Sequence, residues 1–258
     1  MPTFQNESSP LERYGRNLTI LAQQGAFPPL AAQEAAVNKV FQILLRENKC
    51  NPLILDMDGT SRWEIVAEVI RRMAVSDAPD HLPEKQVIAL DYEALFANLS
   101  DDILIRQERR KQRLAPLSEK LAQVEPDSEK DWTLLEELFR WPELEEWIAP
   151  TMVLERLQSI FITMHRAASS SLLFVEHFHR LMGGEMARYP IDAPTLLKPT
   201  LARHQIQLIG ACTLTQYRQY IERDAAISRR FQEVLMPDAQ EECQRLRMGP
   251  SPGGRIEP

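Results

Sequence analysis

The stretch NPLILDMDGTSRWEIVAEVIRRMA, residues 51–74, decides the fold. Pro52-Leu-Ile-Leu55 is a short apolar run that ends in a turn, the signature of a buried strand. Trp63 to Ala74 then reads as a helix. Working outward, Val87-Ile-Ala-Leu90, Ser171-Leu-Leu-Phe-Val175 and Gln207-Leu-Ile-Gly210 give three more apolar strands. Leu11 to Gln24 reads as a helix that stops near Gly25. Ala35 to Arg46 is an amphipathic helix with Val37, Val40, Phe41 and Leu44 on one face. Short apolar strands separated by helices predict an α/β chain, a parallel sheet covered on both faces.

The rhythm breaks between residues 100 and 148. Arg106, Arg109, Arg110, Lys111 and Arg113 make a basic helical stretch that Pro116 interrupts. Ser128-x-x-Asp131 resembles a helix-capping box before Trp132, Leu135, Leu138 and Phe139 at helical spacing. Pro142 suits the start of one more short helix, and Trp141 and Trp147 lie close by. This segment is predicted to be a helical insertion in a core spanning residues 11–247. Residues 1–10 and 248–258, rich in Pro, Gly and Ser, are predicted to be flexible ends.

The chain has 258 residues and a formal charge of -7, which argues against a nucleic-acid or anionic-membrane binder. Its three cysteines, Cys50, Cys212 and Cys243, are widely spaced and form no CxxC pair, as in a reducing compartment. No apolar run approaches the roughly 18 residues of a membrane span. The polar start MPTFQNESSP lacks a signal-peptide core. A cytoplasmic location is expected.

Several segments, in order, resemble the first nucleotide-binding domain of ClpB/Clp-type AAA+ unfoldases. Leu11 to Thr19 looks like the lead-in to that domain. Asn51 to Leu55 is similar to the strand before its Walker A loop, and Leu172 to Val175 to its Walker B strand. Leu196 to Arg203 (LLKPTLAR) and Ile209 to Phe231 (IGACTLTQYRQYIERDAAISRRF) are similar to two later signatures, the last long and specific. The resemblance covers 11–98 and 151–235. It implies an AAA+ P-loop-type parallel sheet flanked by helices, and the chain ends where that family's helical lid domain would begin.

The resemblance also implies what chemistry to look for. Such a loop wraps phosphates with backbone N–H groups, extends a Lys to the outer phosphates and holds Mg²⁺ through Ser or Thr. Here the loop reads Asp56-Met57-Asp58-Gly59-Thr60-Ser61-Arg62-Trp63. Asp56 and Ser61 fall on glycine positions, Arg62 on the Lys position and Trp63 on the Mg²⁺-binding position. Trp offers no oxygen to a hard cation. A helix N-terminus favours an anion by only about 0.3–2 kcal/mol, which the carboxylates of Asp56 and Asp58 oppose. Arg62 is predicted to pair internally with Asp58 or Glu176.

Glu176 and His177 fall where Walker B carries Asp and a water-activating Glu. Losing a general base alone typically costs about 10²–10⁴ in rate. Thr213 matches the polar sensor, and Arg229 and Arg230 match the arginine-finger pair. Read as an extended segment, His177 and His179 share a side with a metal-ligand look, but no third ligand supports them and no metal site is expected. The family's substrate-gripping loop falls near Ile148-Ala149-Pro150, where no aromatic matches. The expectation is a pseudo-ATPase with no cofactor beyond weak ATP or ADP. It would be a non-catalytic interaction or regulatory module for a protein partner, either like subunits or an active Clp-type ATPase. The alternatives are a residual ATP-hydrolysing unfoldase subunit and an adaptor that binds through residues 100–148.

Overall fold

Asn51–Asp56 forms β2, a strand whose six residues are all buried. A computed structural model describes residues 9–29, 33–80, 82–99, 144–166, 171–183 and 193–248 of the chain. Within them one six-stranded sheet runs in the order β1-β3-β4-β5-β2-β6. The other strands are β1 (Gly15–Asn17), β3 (Gln86–Leu90), β4 (Ser171–Val175), β5 (Leu208–Thr213) and β6 (Phe231–Leu235). β2 lies parallel to β5 and β6, with Asp56 opposite Thr213 and Asn51 opposite Phe231. β3, β4 and β5 continue the parallel array.

Alternate strand residues feed two separate cores, because successive side chains in a strand point to opposite faces. Leu53, Leu55, Leu173 and Leu208 join one core, while Ile54, Leu172, Phe174 and Ile209 join the other. The second core is closed by α2 (Leu18–Gln23), α3 (Glu34–Leu44) and α4 (Ser61–Ala74). Helix α4 turns Ile65, Val66, Val69, Ile70 and Met73 inward. Arg72 joins it to α3 by bonding Glu34 and Glu68, and Arg71 adds a second ion pair to Glu68 at 2.7 Å. The first core is closed mainly by α5 (Tyr92–Phe96), α6 (Leu144–Arg166) and α7 (Ala193–Ala202).

Some sequence expectations change. The Leu11–Gln24 helix is two short helices, α1 (Pro10–Tyr14) and α2, separated by β1, which pairs antiparallel with β3. The sheet is therefore parallel with one antiparallel edge. Gly15 permits that approach: a Cβ there would sit 2.5 Å from Ile88 Cγ2. Asn17 then restarts the helix by accepting a bond from the Ile20 N–H at 3.1 Å. Strand β6 escaped the apolar search because Gln232 and Glu233 interrupt it, as suits an edge strand. Helix α1 begins at Pro10, where the Ser9 N–H donates to Glu12 Oε2 at 3.0 Å. The helix start expected at Pro142 lies outside the described residues. Helix α6 runs through Ile148-Ala149-Pro150 to Arg166, so the expected gripping-loop position is helical. The rest of the insertion, residues 100–143 with its Trp132–Phe139 face, lies outside the described residues, as do 1–8 and 249–258.

Candidate functional site

The carboxyl ends of β2, β4 and β5 bring Asp56, Glu176, His177 and Thr213 together around the β2–α4 turn. Asp56, the last residue of β2, is fully buried. Arg62, in the first turn of α4, folds back beneath Gly59 and is 3% exposed. Its guanidinium meets Asp56 Oδ1 at 3.0 Å, and its backbone N–H donates to Asp56 Oδ2 at 3.3 Å. Its other terminal nitrogen faces His177 Nδ1 at 3.3 Å. The ion pair expected for Arg62 is present, but its carboxylate is Asp56, not Asp58 or Glu176. The reason is geometric. Asp56 ends β2 six residues before Arg62, where its carboxylate reaches both the side chain and the backbone N–H of Arg62.

Asp58 is spent locally. It accepts from the Thr60 N–H at 3.0 Å and from the Thr60 hydroxyl at 2.7 Å. Those bonds hold its carboxyl below the usual range. Gly59 has a φ of +90°, which an L side chain rarely adopts. The Met57 N–H donates to Asp238 Oδ2 at 2.9 Å, fastening the turn to α8 (Pro237–Met248). Sequence reasoning missed Asp238, and no signal marked it, because it lies 181 residues away.

Trp63 is 37% exposed and packs edge-on against Phe27 and tilted against Phe174, with ring centroids 6.1 and 5.9 Å away. It borders a cavity of about 210 Å³ shared with Asp91, Tyr92, Glu93, Glu176 and His177. Ser61 begins α4 beside it.

The segment after β4 is not extended. His177 takes a left-handed backbone at φ 53°, and Phe178–Met182 is a tight helical turn. The alternation of an extended strand therefore does not relate His177 and His179, whose rings meet edge to face with centroids 5.9 Å apart. Burial lowers both imidazoles, His179 to about 4. Glu176 lies 3.9 Å from His177 Nε2 and stays partly exposed. Among the described residues no three His, Cys, Asp or Glu gather to hold a metal ion. The Thr213 hydroxyl accepts from the Gln216 N–H at 3.3 Å, so it caps the next turn. Burial raises the neighbouring Cys212 thiol to about 12, leaving it inert.

Arg229 and Arg230 lie at the opposite end of the sheet, before β6. Because Asn51 and Phe231 are in register, they sit about 17 Å from the β2–α4 turn along the strands. The Asn51 side chain holds them there, donating to the Arg230 carbonyl at 3.1 Å and accepting from the Leu208 N–H at 2.9 Å.

No protein-family model matches the chain. Chaperone protein ClpB 1 of Thermosynechococcus vestitus is 31% identical over 226 residues, 88% of this chain and 20% of that protein. ClpB of Aquifex aeolicus is 30% identical over 238 residues, 92% of this chain and 19% of that protein. Chloroplastic ClpC1 of Arabidopsis thaliana is 30% identical over 233 residues, 90% of this chain and 20% of that protein. The chain thus spans about a fifth of the length of these relatives. Among solved structures, Hsp104 with ATPγS and casein superposes with a TM-score of 0.60 at 24% identity, over 88% of this chain and 30% of that one. The extended S. cerevisiae Hsp104:casein complex also reaches 0.60 at 24% identity, over 93% of this chain and 33% of that one. The fold is that of an AAA+ nucleotide-binding domain. The chain is homologous to the ClpB/ClpC chaperones, matching one domain's length of them. Among the described residues no helix is long and apolar enough to cross a membrane.

Proposed function

We propose that this ClpB/Hsp104-like chaperone domain is a pseudo-ATPase, a non-catalytic module that works by binding a protein partner, either like subunits or an active Clp-type ATPase. One observation carries the reading. Three N–H groups of the β2–α4 turn already donate to carboxylates of this chain: Met57 to Asp238, Thr60 to Asp58 and Arg62 to Asp56. A polyphosphate would need those donors and would have to displace three anions to reach them. Arg62 is committed to Asp56 and is turned away from solvent. Trp63 presents an indole where a hydroxyl would be required for Mg²⁺. The residues present do not fit a magnesium nucleotide, and no hydrolytic step follows from them.

Calorimetric titration with ATP and Mg²⁺ tests this. The expected result is no saturable heat and no phosphate release. Replacing Asp56→Gly, Arg62→Lys and Trp63→Thr together should create measurable nucleotide binding by freeing the turn. Micromolar ATP binding by the unaltered chain would overturn the reading. It would favour a residual chaperone ATPase subunit instead, a reading that Thr213 supports by lying opposite Asp56 at the strand ends.

A further inference from the structure

The amino end of the sheet carries a second cavity, of about 710 Å³, lined by Lys49, Lys198, Arg229 and Arg230 with Pro199 and Ala226. This is a cationic site on a chain whose formal charge is -7. Among the described residues one carboxylate pairs with these cations: Asp224 meets Lys198 at 2.8 Å. Lys49 sits on a left-handed turn at φ 51° just before β2, and Arg229 is exposed. Among the described residues Arg229 bonds through its Nε alone, to the Ala225 carbonyl at 2.7 Å, which leaves its terminal nitrogens to face a ligand. The site is built rather than incidental, because the buried Asn51 fixes the backbone at Arg230.

We infer that this cavity docks an acidic segment of the partner protein, an inference that rests on the binding-module reading above. Arg and Lys held around an open cavity suit carboxylates spaced along a peptide, with Arg able to grip each in two-point fashion. The apolar surfaces of Pro199 and Ala226 suit the methylene stems of Glu side chains. A compact phosphate chain is disfavoured for two reasons. Such groups draw on backbone N–H donors at a helix start, and here Asp224 already takes those of Ala226 and Ile227 at 3.1 and 3.3 Å. The same carboxylate would also repel a multiply charged anion more than single carboxylates.

The test is fluorescence anisotropy of a fluorescein-labelled, Glu-rich peptide of about twelve residues titrated with the full chain at low salt. Saturable binding is expected, falling with added salt as the charges are screened. The Arg229→Glu, Arg230→Glu pair should weaken it at least about tenfold. The milder Arg229→Gln, Arg230→Gln pair should weaken it less and keep the fold, with a thermal midpoint lowered by no more than about 4 °C, which covers the case in which charge reversal disturbs folding. Absence of saturable binding, or equal binding by the Gln pair, overturns the site. Displacement by inorganic triphosphate at concentrations below those of the peptide would make it a phosphate site and likewise overturn the proposal. An ATP titration of the same Gln pair separates the two readings. Nucleotide binding that survives the Gln substitutions sinks the pseudo-ATPase reading and leaves the peptide result standing.

Discussion

The two ends of the sheet treat charge in opposite ways. At the carboxyl end Asp56 pairs with Arg62, and Asp56, Asp58 and Asp238 accept N–H groups of the β2–α4 turn. At the amino end Lys49, Lys198, Arg229 and Arg230 stand around an open cavity with Asp224 as the paired counter-charge. At one end the backbone donors are taken by the chain's own carboxylates, and at the other the cations face outward. Strand-end side chains on one scaffold can thus give its two rims opposite electrostatic character.

The largest effect should come from the closed end. Asp56→Ala leaves the buried Arg62 guanidinium without its partner and should cost about 3–5 kcal/mol, read from urea unfolding. Asp56→Ala with Arg62→Met should recover most of that loss, because neither charge then remains buried. If the single variant is as stable as the parent, the turn is not sealed by this pair and the contrast between the rims fails.

Next comes the α3–α4 tie behind the same turn. Glu68→Ala removes the acceptor shared by Arg71 and Arg72 and should cost about 1–3 kcal/mol. The Arg71 hydrogen bond, aided by Arg72, pulls the Glu68 carboxyl down to about 2 from 4.5. Its contribution is therefore full above pH 4.5 and is lost as the pH falls toward 2. Burial lowers His179 to about 4 from 6.5, so its contribution is full above pH 6.5 and is lost between there and pH 4. Unfolding free energies measured at about pH 7, 5 and 3 should fall stepwise. His179→Leu should flatten the 6.5-to-4 portion, while Glu68→Ala should flatten the portion below pH 4.5.

The smallest effect belongs to the open end. Arg229→Gln removes one bond to a helix-end carbonyl on an exposed side chain and should change stability by less than about 1 kcal/mol. A larger loss would mean that Arg229 is structural, and the contrast would weaken.

Much of the architecture was legible in the order of residues. The apolar runs at 52–55, 87–90 and 171–175 are strands, and the Val37–Leu44 face packs inward. They were legible because burial on both sheet faces demands continuous apolar side chains, a local property. Strand β6 was not, because Gln232 and Glu233 sit on an edge where polar residues are tolerated. The β1 strand was hidden inside a helical pattern, and only Gly15 and Asn17 hinted at it. In the candidate site, the sequence suggested an internal ion pair for Arg62, and one is present. It misassigned the acceptor of Arg62, because two carboxylates two residues apart differ only in where the turn points them.

The sequence by itself determined an α/β sheet domain with Asp56, Arg62 and Trp63 in one turn and four cations, Lys49, Lys198, Arg229 and Arg230, far apart in the chain. Only the tertiary structure decided that Asp56 rather than Asp58 or Glu176 holds Arg62, that Asp238 ties down Met57, and that Lys49, Lys198, Arg229 and Arg230 share one cavity. The physical reason is that strand and helix formation follow nearest neighbours and burial. Charge pairing depends on distances of a few ångströms between residues far apart in the chain, and those distances are set by how the sheet and its helices pack.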